Sequence, residues 1–211
     1  MSRNQRAGLR EAIIRTSLDI GSELGEEGLT MRGIAARLSV SATALYQHFE
    51  SKAAILREIR FYGANLLQRE VLGTAEGLSD PLERLEAACH NYITFARTHP
   101  WLYSVLTENE QIDYATMNPD DLTQLLKPLT TLRTWLREGV ERGRVVEGVD
   151  PDMTSIRMWA ALHGVCSMLN SGRIDENHPA FPVADQQSFL QGFVASVMRT
   201  ITVRPGSEPA T

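Results

Sequence analysis

Between Thr30 and Lys52 the chain has room for two short helices and a three-residue turn, and for little else. Helices of that length do not persist alone in water, because the first turn is costly to form. The segment must therefore be braced by neighbours. Thr30 stands as an N-cap before a helix over Met31–Leu38. Ser39, Val40 and Ser41 make the turn, and a second helix follows over about residues 42–49. Ser51 caps a fourth helix that starts at Lys52. Ile34, Ala35 and Leu38 give the bracing helix an apolar face, and the small Ala35 lets the second helix cross closely. Val40 plugs the turn against the core. Leu45 and Phe49, four apart, face inward, which leaves Ala42, Thr43, Tyr46 and Gln47 largely outward. Two short helices joined in this way have the geometry of a helix-turn-helix, whose second helix enters a DNA major groove about 12 Å wide.

The rest of the chain reads as helix. Leu9, Ile13, Thr16, Ile20 and Leu24 form one stripe of a first helix over residues 6–24. The fourth helix runs from Lys52 to about Leu72. Further helices are expected over 80–98, 101–108, 119–142, 151–171 and 184–202. Asp80–Pro81, Pro119–Asp120–Asp121 and Asp150–Pro151–Asp152 supply their start signals, and Pro128 should kink the seventh or reset its start. Residues 109–118 and 172–182 read as loops. No strand signal or internal repeat stands out. The fold class expected is all-α, with about nine helices: a three-helix head over 1–52, a helical body over 53–204 and a disordered tail over 205–211.

A net charge of −5 argues at first against a nucleic-acid partner, but its distribution does not. Residues 1–60 hold nine Lys/Arg and seven Asp/Glu, whereas the remainder holds twelve and nineteen. A mildly basic head on an acidic body fits DNA binding by the head alone. Two widely spaced cysteines, no secretory signal at the N-terminus and no membrane-length apolar run lead us to expect a cytoplasmic protein with no membrane partner.

The head resembles the tetracycline-repressor (TetR) family over about residues 6–60. The resemblance rests on Gly28-Leu29-Thr30, Ile34-Ala35, Val40-Ser41, Leu45-Tyr46-Gln47-His48-Phe49 and Ser51-Lys52 at fixed spacing. It implies phosphate contacts from Thr30, Ser41, Tyr46, His48 and Lys52. It also implies base-facing positions at Ala42, Thr43, Ala44 and Gln47, where Gln47 suits adenine and a methyl suits thymine. Arg32 and Arg37 are further candidates for backbone contacts. The chain departs from the family in having Ser39 where the turn often carries Gly, Ala42 where a basic residue is frequent, and Thr43 where Gly is frequent. The base-reading set is thus small and nearly neutral.

The body is similar to a Trp-His-Gly (WHG) subgroup of that family, on Tyr92–Pro100 with Leu102-Tyr103 and on Trp159–Gly164. This resemblance implies a regulator that binds an operator as a homodimer and responds to a small effector held inside the helical bundle. Candidate lining residues are Tyr92, Phe95, Trp101, Tyr103, Met117, Trp135, Met158, Trp159, His163 and Met168, since aromatic and Met side chains line adaptable apolar cavities, although they also fill ordinary cores. The effector is accordingly expected to be mostly apolar. The dimer face is expected on the last two helices. Ala160, Gly164 and Ser167 are small residues at helical spacing, and Phe189, Phe193 and Val197 recur every four.

Two other functional classes have partial support in the sequence. Cys166 lies three residues after His163, a spacing that suits a nucleophile and base, but no orienting group or oxyanion hole is identifiable. A metal sensor would draw on Cys89, His90, His99, His163 and Cys166, yet adjacent Cys-His is not a recognised ligand spacing. A plain helical interaction module leaves Tyr46 and Lys52 unexplained. We expect no enzyme activity, no cofactor and no bound metal.

Overall fold

The computed structural model describes residues 3–107, 117–180 and 182–203. The described residues form nine α-helices in chain order: α1 (Arg3–Gly28), α2 (Met31–Arg37), α3 (Ala42–Tyr46), α4 (Lys52–Leu67), α5 (Pro81–Thr98), α6 (Pro100–Thr107), α7 (Pro119–Glu141), α8 (Pro151–Asn170) and α9 (Gln186–Arg199). The all-α expectation holds. Among the described residues the only extended pairings are two isolated bridges, Val145 with Thr202 and Asp175 with Pro182. The loop expected over 109–118 lies mostly outside the described residues, as does the tail from Arg204.

Helix starts are held by side chains that accept backbone N–H groups, at the expected Asp80 and Asp150 and also at Asn118 and Asp185. Asp80 Oδ1 accepts from Leu82 N at 2.9 Å, Asn118 Oδ1 from Asp120 N at 2.8 Å, Asp150 Oδ1 from Asp152 N at 2.8 Å and Asp185 Oδ1 from Ser188 N at 2.9 Å. Gly25, at φ 69°, breaks α1 one residue beyond the end expected from the apolar stripe. Two expectations are corrected. Helix α4 does not stay α-helical to Leu72; it passes into a π-helical stretch, Gln68–Gly73. There the Asn91 amide donates to Val71 O at 3.1 Å and to Thr74 Oγ1 at 2.9 Å, and Thr74 Oγ1 donates to Glu70 O at 3.1 Å, so two carbonyls of the stretch gain side-chain donors. Of the two outcomes expected at Pro128, a kink or a reset start, the reset does not occur, and α7 runs through it. The missing N–H forfeits one ladder bond, and the capped first turn holds the helix together before it.

The chain divides into two compact units. The first comprises Met1–Asn65 and His99–Leu125, and the second Leu66–Thr98 and Leu126–Thr211. In the first, Ile13, Ile20, Leu29, Ile34, Leu45, Phe49, Ile55 and Ile59 are buried, joined by Leu102, Tyr103 and Val105 of α6. A side chain on Gly21 would overlap the Trp101 ring at about 2.3 Å, so glycine there is what lets α1 and α6 touch. In the second, Leu85, Tyr92, Phe95, Trp135, Leu136, Met158, Leu162, Cys166 and Val194 form the core.

Candidate nucleic-acid interface

The turn between α2 and α3 is a Schellman motif. Ser39 N donates to Ala36 O at 3.1 Å and Val40 N to Ala35 O at 3.0 Å. Ser39 takes the left-handed position, φ 54°, where a β-carbon costs about 1 kcal/mol. This explains the departure noted in the sequence: serine occupies the position where glycine is unstrained. Helix α3 is shorter than expected. It ends at Tyr46 with Gln47 as its C-cap, because His48 N turns back to Leu45 O at 2.9 Å.

Burial separates the two faces of this segment. Leu45 and Phe49 are buried, while Ala42, Thr43 and Gln47 are exposed and Tyr46 shows 54% of its surface. Ala44 and His48 are half-buried. The Arg10 guanidinium lies 4.5 Å above the Phe49 ring and pairs with Glu58 at 2.7 Å. This clamp fixes the chain just after α3, and nothing in the local sequence pattern signals it.

Three of the five expected phosphate-contacting side chains, Thr30, Ser41 and Lys52, are held by local hydrogen bonds. Thr30 Oγ1 accepts from Gly33 N at 3.0 Å and Ser41 Oγ from Ala44 N at 3.1 Å. Each hydroxyl hydrogen remains available to an outside acceptor. Lys52 Nζ donates to Glu26 O at 2.6 Å and lies 3.7 Å from the Glu26 carboxylate. It thus ties α4 to the end of α1 with part of its charge already balanced. Arg37 is engaged by a two-pronged pair with Glu23, at 2.7 and 2.8 Å. The pair holds the Glu23 carboxyl below its ordinary range. Arg32 is exposed.

Of the residues expected to line an effector site, Trp101, Tyr103 and Met117 belong to the first unit. Tyr92, Phe95, Trp135 and Met158 are buried in the second, where Trp159 Nε1 donates to Tyr92 Oη at 3.1 Å and its ring stacks on His163 at 5.7 Å. Trp159 is nonetheless 43% exposed and Met168 41%, which places both at the surface. The expected dimer residues share that surface. Ala160, Gly164 and Phe189 are exposed and Ser167, Phe193 and Val197 half-buried, with Met153 and Ile156 extending the apolar stripe.

Cys89 and Cys166 are both buried, and burial pushes the Cys89 thiol up to about 12. Among the described residues no group of three or more His, Cys, Asp or Glu side chains comes together to hold a metal. No helix of the described residues is long and apolar enough to cross a membrane.

An exposed, nearly neutral α3, braced by α2 and clamped at both ends, defines a helix-turn-helix DNA-binding protein. Residues 13–59 match the family described as bacterial regulatory proteins, tetR family, and residues 85–192 match the tetracyclin repressor-like C-terminal domain. Among curated relatives, the class C tetracycline repressor of Escherichia coli is 53% identical over 47 residues, but that match spans only 22% of either chain. The nucleoid occlusion factor SlmA of Marinobacter nauticus is 24% identical over 156 residues, 73% of this chain and 77% of its own. Among solved structures, AibR in complex with isovaleryl coenzyme A and operator DNA is similar at a TM-score of 0.61 and 19% identity, covering 92% of this chain and 97% of that one. The chain belongs to the tetracycline-repressor family of transcriptional regulators, with the family's DNA-binding domain matched over residues 13–59.

Proposed function

We propose that this chain is a repressor that binds a palindromic operator as a homodimer and releases it when a small, mostly apolar effector binds the body. The observation that carries the DNA half is the exposed row Ala42, Thr43, Tyr46 and Gln47 on and after α3, while Leu45 and Phe49 are buried. In this reading Thr30, Ser41, Tyr46, His48 and Lys52 hold phosphates, Arg32 adds charge, and Thr43 and Gln47 read bases, with Ala42 and Ala44 against thymine methyls. Phosphate contacts then set most of the affinity and make it salt-dependent. The apolar stripe on α8 and α9 supports the dimer, because a two-fold operator needs two heads roughly 34–36 Å apart. The buried aromatic and Met cluster of the second unit supports an apolar effector. An effector acts only by binding the DNA-competent and released states with different affinity.

The roles separate experimentally. Tyr46→Phe combined with Lys52→Ala should weaken binding to a selected operator about 100-fold, and by the same factor on every sequence, since two charge-assisted hydrogen bonds contribute about 3 kcal/mol together. Gln47→Ala should instead flatten the preference at one operator position. Electrophoretic mobility shifts on an operator series measure both. Unchanged affinity in the double variant contradicts the phosphate role, and an unaltered sequence profile contradicts the reading role.

A further inference from the structure

Between α5 and α9, within the second unit, lies a groove of about 430 Å³ that the proposed repressor mechanism does not use. Its size falls in the range of small-molecule sites. His90, Thr94 and Arg97 rise from α5 on one helical face, Gln187 and Gln191 rise from α9, and buried Ile93 and Leu190 form an apolar floor. No carboxylate lines it, although the chain beyond residue 60 carries nineteen acids against twelve bases. Asp185, next to the groove in sequence, has its oxygens occupied by the backbone N–H and hydroxyl of Ser188. Among the described residues, no side-chain hydrogen bond or ion pair occupies His90, Arg97, Gln187 or Gln191.

An arginine with unspent donors, two amides and an apolar floor in one concavity form a receptor of definite chemistry. The guanidinium presents parallel N–H groups that match a carboxylate. The amides can donate to the same anion or to a neighbouring polar group, and the floor shelters a compact apolar body. We infer that the α5–α9 groove is a second small-molecule site, one that takes a compact carboxylate with a flat or branched apolar body. It is distinct from the buried aromatic cluster proposed for the effector, and it does not depend on the head binding DNA.

The probe is 4-fluorobenzoate, followed by its fluorine resonance during titration of the full chain. The expected result is a saturable shift for the acid, at least ten-fold weaker binding for the neutral 4-fluorobenzamide, and at least ten-fold weaker binding of the acid to Arg97→Gln and to Gln191→Glu. Both substitutions lie on exposed positions, and circular dichroism verifies that each variant is folded. The inference is overturned by the absence of a saturable shift, by amide binding equal to acid binding, or by both variants binding the acid like the parent.

Discussion

Replacing Phe49 with alanine should destabilise the first unit by about 3–5 kcal/mol and abolish operator binding. Phe49 is 3% exposed, so truncation removes a filled aromatic volume and leaves a cavity under α3. It also removes the ring beneath Arg10, whose pairing with Glu58 then fixes nothing at the end of α3. A domain's entire stability is of order 5–15 kcal/mol, so the loss is a large fraction of what holds the segment. Phe49→Leu keeps most of the volume and should cost much less. Urea unfolding by circular dichroism and mobility-shift titration read the two effects. A loss below about 1 kcal/mol with operator binding intact would mean that the clamp does not position α3.

The second large effect concerns assembly. Ile156→Glu combined with Phe189→Glu should convert the protein from dimer to monomer. Both side chains are about 40% exposed in the protomer, so the charges are tolerated when it is alone. In a two-fold interface each substitution occurs twice, and unpaired carboxylates lose their water without a partner. Sedimentation equilibrium should give twice 23.5 kDa for the parent and 23.5 kDa for the variant. A monomeric parent, or a variant that stays dimeric, contradicts the proposed α8–α9 interface.

The sequence made the fold legible where one residue type decides a local outcome. Thr30, Ser51, Asp80 and Asp150 cap the helices whose starts they mark, while the caps at Ser41 and Asp185 appear only in the structure. Leu45 and Phe49 face inward as their spacing requires. What could not be read depends on partners distant in sequence. The Arg10–Phe49 stack, the Arg37–Glu23 fork and the Lys52–Glu26 tie join residues 14 to 39 positions apart, and no periodicity encodes such pairs. The fork pairs Arg37, one of the two arginines expected at the DNA backbone, with Glu23, although both arginines are exposed. Two helix ends also differ from those the apolar stripes predict. Helix α3 stops a turn early and α4 slips into a π-helix, since each boundary is set by which carbonyl wins a given N–H and not by the apolar stripe. The α5–α9 groove was missed for the same reason: its two walls are about 90 residues apart in the chain.

The most direct measurement is selection of binding sites from random duplex DNA by the full chain, followed by hydroxyl-radical footprinting on the enriched sequence. The expected result is an inverted repeat with half-sites protected about one helical turn apart, roughly 34–36 Å centre to centre. Affinity should also fall steeply as salt is raised. Failure to enrich any sequence, or a single unrepeated protected patch, would contradict the claim that residues 30–52 meet DNA as a paired helix-turn-helix.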